Sequence, residues 1–128
     1  MHSGRTVFSQ IVEVVPHWQF QRLAQRHGVD SGRLKFSAWE HFLALSFAQL
    51  TFRESLRDIE TCLRALQPKL YHAGIRGPIS RSTLADANEL RDWRIWERFA
   101  ARLIQLRFAL GELLAERSGV LNLGVEGM

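Results

Sequence analysis

The 128-residue sequence has one cysteine, three prolines, one tyrosine and no long apolar run. The lone Cys62 excludes an internal disulfide framework and fits a reducing compartment. No stretch approaches the ~18 consecutive apolar residues of a membrane span. Near the N-terminus, Val7–Val15 is broken by Ser9, Gln10 and Glu13, so it lacks the apolar core of a secretory signal. There is no glycine-rich phosphate loop, and "GIRG" at 74–77 reads as a turn. His17, His27, His41 and His72 show no ligand spacing with Cys62 or with one another, so no metal site and no cofactor are expected. These absences predict a cytoplasmic chain with no membrane contact and no small-molecule substrate.

What is present fits a folded chain with room for one compact domain. Hydrophobic residues make up 46% and charged residues 23%, a balance that disordered chains do not have. Four Trp and eight Phe can fill a core. The net charge is +4, unevenly spread. Residues 1–107 hold 16 Lys and Arg against 10 Asp and Glu, whereas 108–128 hold only Arg117 against Glu112, Glu116 and Glu126. Fifteen of the seventeen basic residues are arginine, which suits bidentate contacts to phosphate and guanine. GC-rich coding gives the same usage.

Apolar spacing of helical period recurs along the chain, and nothing alternates with period two. The expected fold is therefore an all-α bundle of about five helices. The first helix covers roughly 5–15, with Val7, Phe8, Ile11, Val12 and Val15 on a core face. Pro16 opens the second, at 17–27, which carries Trp18, Leu23, Ala24 and His27, and Gly28 stops it. "SAWE" at 37–40 is a capping box, and the apolar helix behind it should be the buried centre. "TFRE" at 51–54 reads as a second capping box, followed by the stripe Leu56, Ile59, Leu63 and Leu66. Arg53, Arg57, Asp58, Glu60 and Arg64 take the opposite face. After Pro68 a short helical turn at 69–73 precedes Gly74 and Gly77. A last helix carries Trp96, Phe99, Leu103 and Leu106, and Trp39, Trp93 and Trp96 are assigned to core or inter-helix grooves. Cys62, beside Leu63, reads as a small packed residue.

"PISRSTLADANELRDWRIW", at 78–96, bears most directly on function. Ser80 is a good N-cap, Leu84, Ala87 and Arg91 line an inner face, and Arg81, Ser82, Asn88 and Glu89 point outward. A helix N-terminus dressed with Ser, Arg and Thr favours an anion. With the helix at 52–66 it could form a helix-turn-helix-like pair, although the connection of about fourteen residues far exceeds the usual turn. A solvated surface helix, its arginines offset by Asp86, Glu89 and Asp92, is the other reading.

Long strings of the sequence resemble the N-terminal domain of bacterial insertion-sequence transposases of the IS-four group. They are "TVFSQIVEVVPHWQF", "FSAWEHFLALSFAQLTFRESLRDIETCLRAL", "KLYHAGIR" and "SRSTLADANELRDWRIWERFA", and they cover roughly residues 1–105. The resemblance implies binding of double-stranded DNA at the element's terminal inverted repeats. It places Arg76, Arg81, Ser82, Thr83, Asn88, Arg91 and Arg94 at the DNA surface, with a homodimer as a further possible partner. It also implies that the metal-binding carboxylates of strand transfer lie in a following segment, so this chain is expected not to be an enzyme. Asp58, Glu60, Asp86, Glu89 and Asp92, at helical spacing among arginines, read as solvated ion pairs instead.

From about Ala109, "ALGELLAERSGVLNLGVEGM" resembles the N-terminal part of permease subunits of transporters for simple sugars and nucleosides. The expectation is a truncated, chimeric reading frame. Its transposase-like domain covers 1–107, and its permease-like tail covers 108–128, helical to about 117 and flexible beyond. Two alternatives stand beside DNA binding. One is an oligomerisation module of a transposase, and the other is a remnant without function.

Overall fold

The computed structural model describes residues 6–29 and 35–126, with side chains to residue 116. It is all-α among the described residues, as the apolar spacing requires. In chain order the elements are α1 (Val7–Glu13), α2 (His17–Arg26), α3 (Ala38–Leu50), α4 (Leu56–Ala65), α5 (Gln67–Leu70), a 3-10 turn (Tyr71–Ala73), α6 (Arg81–Leu90) and α7 (Arg94–Glu126).

Hydroxyl caps open four of the helices. Thr6, Ser37, Ser55 and Ser80 each accept a hydrogen bond from a backbone N–H one turn on, satisfying a donor that the helix cannot. At Ser37 the box is complete, because the Glu40 carboxylate also accepts from the Ser37 N–H at 3.3 Å. The second expected box does not form. Thr51 ends α3 instead, its hydroxyl donating to the Phe47 carbonyl at 2.7 Å, and Ser55 is the cap of α4. The helix before "TFRE" runs on into it and uses its first residue.

The stops of α2 and α3 share one geometry. After α2, Gly28 has φ +68°, its N–H donates to the Gln25 carbonyl, and the Val29 N–H donates to the Ala24 carbonyl. After α3, Phe52 has φ +58°, its N–H donates to the Gln49 carbonyl, and the Arg53 N–H donates to the Ala48 carbonyl. Both are Schellman stops. Glycine takes the left-handed conformation without penalty, and phenylalanine does not.

α3 lies between two apolar clusters. On one side Leu43, Ala44, Phe47 and Ala48 pack with Phe8, Ile59, Leu63, Leu70, Ile75, Ile79 and Leu84. On the other, Ala38 meets Phe20, Leu23 and Ala24 of α2 and Ile95 and Phe99 of α7. Trp39 and Phe42 pack against both clusters. Phe20, fully buried, has the rings of Trp39, Phe42, Trp96 and Phe99 within 5.1–5.8 Å. The central place expected for α3 is therefore the observed one, and the α4 stripe packs as expected.

Several side chains expected in the core are outside it. Trp18 and Trp93 are each 61% exposed, Val7 faces outward on α1, and Ile11 is partly exposed along the wall of a groove. On α2, Leu23 and Ala24 are buried as their spacing implies, but the third buried side chain is Phe20, two positions from the exposed Trp18. α1 ends at Glu13 and is too short to bury a full stripe. Beyond residue 117 the backbone stays helical to Glu126 and crosses the 107/108 boundary without a break. Glycines at 119 and 124 weaken a helix by about 1 kcal/mol each but do not block its hydrogen bonds as proline would.

Candidate nucleic-acid interface

α4 and α6 pack against each other, as the helix pair requires. What joins them is a carboxylate. Glu60 of α4 accepts a hydrogen bond from the backbone N–H of Arg81, the first residue of α6. Ser80 Oγ takes the Thr83 N–H at 3.2 Å and lies within hydrogen-bond distance of the Thr83 and Ser82 hydroxyls, at 2.8 and 3.0 Å. The N-terminus expected to meet an outside anion thus already holds one from inside the fold.

Of the seven expected contact residues, Arg76, Arg81, Ser82, Asn88 and Arg94 are exposed, and Thr83 and Arg91 are half-buried. Arg94 packs over the Trp93 ring at 5.8 Å and pairs with Asp92 at 3.8 Å. Thr83 is half-buried and spent on Ser80. The Asn88 side-chain oxygen accepts from His41 Nε2 at 2.6 Å. Arg91 ends α6 with its guanidinium donating to the carbonyls of Phe36 and Ser37, its charge over the Phe36 ring at 5.1 Å. Asn88 and Arg91 therefore hold α6 to α3 and the segment before it. Arg76 lies elsewhere, in a cleft with Lys35, His17 and Gln21.

His41 is fully buried one turn into α3. Its Nε2–H donates to Asn88, which leaves Nδ1 unprotonated, and that atom is buried with no hydrogen-bond partner. Burial pushes the imidazole pKa from 6.5 down to about 4; the Asn88 bond opposes the shift and the nearby Arg91 charge adds to it. A neutral ring therefore sits at the centre of the fold.

A second linkage secures α2 to the start of α7. Arg98 Nη1 donates to His27 Nε2 at 3.3 Å, and His27 Nδ1 contacts Asp92 Oδ2 at 3.2 Å. Asp92 also accepts from the Arg94 backbone N–H at 3.0 Å, and chiefly for that reason its carboxyl lies below the usual range. Glu60 and Asp92 are thus structural partners. Among the described residues no group of carboxylates, histidines or cysteines could hold a metal ion.

Apart from Arg91, the arginines with described side chains are all exposed. Three of them, Arg22 and Arg26 of α2 and Arg102 of α7, line one small pocket with Trp18, Gln19 and Leu23. None of these three arginines is among the residues that the sequence places at a DNA surface. The signal was there: α2 contains no acidic residue, and its two arginines are four apart.

An apolar groove of about 440 Å³ runs between α1, α3 and α7, lined by Phe8, Val12, Phe42, Leu50, Trp96 and Leu103 among others. Beyond it α7 projects with Leu106, Leu110, Leu113 and Leu114 exposed. No described helix is long and apolar enough to cross a membrane. A family model described as "Domain of unknown function (DUF4372)" matches residues 3–76, which stops short of α6 and α7. No curated protein and no solved structure matches the chain.

Proposed function

The chain belongs to the DUF4372 family, and from that premise we propose that it is a DNA-binding module of the insertion-sequence transposase type. The domain occurs in transposase-related families. The strings at 36–66 and 80–100 support the finer reading by resemblance. The observation that carries it is the surface, where every described arginine but Arg91 faces outward. Guanidinium groups grip phosphates in pairs of parallel hydrogen bonds, and the charge they bring is the sequence-independent part of duplex binding.

In this reading Arg76, Arg81 and Arg94 contact the DNA backbone and Ser82 lies at the α6 entry. Asn88 and Arg91 act one step back by fixing α6 on α3. Strand cutting is assigned to a different segment, because the carboxylates Glu60 and Asp92 are engaged in caps and pairs. The test is a labelled duplex carrying the parent element's inverted repeat against a scrambled duplex, followed across salt. Binding should favour the repeat. With about six phosphates engaged it should weaken on the order of a thousandfold between 50 and 200 mM salt. Equal affinity for both duplexes would leave no specific reader.

Self-association is a second reading with an observation of its own. The apolar stripe of α7 leaves the groove at Leu103 and continues through Leu106, Leu110, Leu113 and Leu114, and such a stripe is usually covered. Light scattering at micromolar concentration, with and without DNA, separates a monomer from a dimer.

A further inference from the structure

We infer that Arg22, Arg26 and Arg102, with Trp18 at the rim, form a second nucleic-acid site. It takes a backbone phosphate of single-stranded DNA and stacks the adjoining unpaired base on the indole. The inference rests on the DNA-binding reading above but uses none of its contact residues.

Charge is the first argument. Arg22 and Arg26 stand one turn apart on α2, where like charges repel. Arg102 of α7 adds a third guanidinium to the same pocket of about 100 Å³. No carboxylate lines it; the remaining walls are Trp18, Gln19 and Leu23. A cluster of that kind is relieved by a small anion with several acceptor oxygens, and arginine's planar fork matches the paired oxygens of a phosphodiester.

Trp18 supplies the second argument. Its ring is 61% exposed although Phe20, two residues on, is fully buried among four aromatic rings. The indole stays at the pocket rim, with the Arg22 guanidinium 5.9 Å from the ring centroid, inside cation–π range. An exposed aromatic beside backbone-gripping arginines is the arrangement that binds single strands, where each base offers a face for stacking. In a closed duplex those faces are already stacked, so the indole discriminates between the two forms.

The experiment is fluorescence anisotropy of the full chain with a labelled 20-nucleotide single strand and with the matching blunt duplex, from 50 to 200 mM salt. Three variants are compared: Trp18→Ala, Arg22→Gln with Arg102→Gln, and Arg81→Gln with Arg94→Gln. All five positions are exposed, and circular dichroism confirms that each variant keeps its helix content. Trp18→Ala should weaken single-strand binding about 5- to 100-fold and leave the duplex unchanged. Losing Arg22 and Arg102 should weaken it further and flatten the single-strand salt slope by about 0.7, the value for one phosphate. If those two variants bind both DNAs like the parent while the Arg81 and Arg94 variant loses the duplex, this site is wrong and DNA binding stands. If the parent chain binds neither DNA, both are wrong. Equal weakening of strand and duplex by Trp18→Ala overturns the stacking role.

Discussion

His41 Nε2 donates a hydrogen bond to the side-chain oxygen of Asn88 across 2.6 Å, linking the first turn of α3 to the third turn of α6. The two residues are 47 positions apart, one from a helix that looks purely apolar and one from a helix that looks solvated. This pair decides how α6 is presented to a partner.

Removing Asn88 should therefore register first as lost stability. Asn88→Ala leaves His41 buried with neither ring nitrogen satisfied, a cost of about 1–3 kcal/mol. Urea unfolding should show the midpoint falling for Asn88→Ala and unchanged for Arg81→Ala. A stable Asn88→Ala variant with impaired DNA binding would return Asn88 to the interface.

His41 also sets a pH dependence. Its folded pKa, about 4, lies below the ordinary 6.5, so the unfolded chain binds the proton first. The stability His41 preserves is complete above pH 6.5. It is lost as pH falls from 6.5 toward 4, at up to about 1.4 kcal/mol per pH unit. His41→Gln should remove that slope, which chemical unfolding at pH 7, 6 and 5 measures directly.

Arg91 behaves as a clamp. Its guanidinium bonds to the Phe36 and Ser37 carbonyls fix the start of α3 against the end of α6. Arg91→Ala should cost about 1.5–3 kcal/mol, and Arg91→Lys should recover only part, because an ammonium lacks the fork that spans two carbonyls. Urea midpoints of the two variants check this. Equal midpoints for Arg91→Ala and the parent would show that the clamp contributes nothing.

Phe52 offers a change in the opposite direction. It is 88% exposed and holds φ +58°, a conformation that costs a residue with a Cβ roughly 1–2 kcal/mol. Phe52→Gly should raise the thermal midpoint, since Gly28 fills the same position after α2. A lowered midpoint would mean that the ring has packing partners worth more than the strain.

Periodicity and capping made most of the helices legible, since both act within one or two turns. Ser37 with Glu40, Ser80 and Gly28 all do in the fold what their neighbours in sequence imply. So does the α4 stripe, because residues three and four apart share a face wherever a helix forms. The candidate site was less legible. Arg81, Ser82, Asn88 and Arg91 look alike along the chain, yet Asn88 and Arg91 are tied inward by partners 47 to 55 residues away. Which of Trp18 and Phe20 enters the core depends likewise on where α3 and α7 place their rings.

Local order set the helices, their caps and the positive charge, because those depend on near neighbours and on composition. Packing across the chain chose the arginines left free, the carboxylate that fills the α6 entrance and the histidine kept neutral. Each of those outcomes follows from water being excluded between segments that meet only in the folded state.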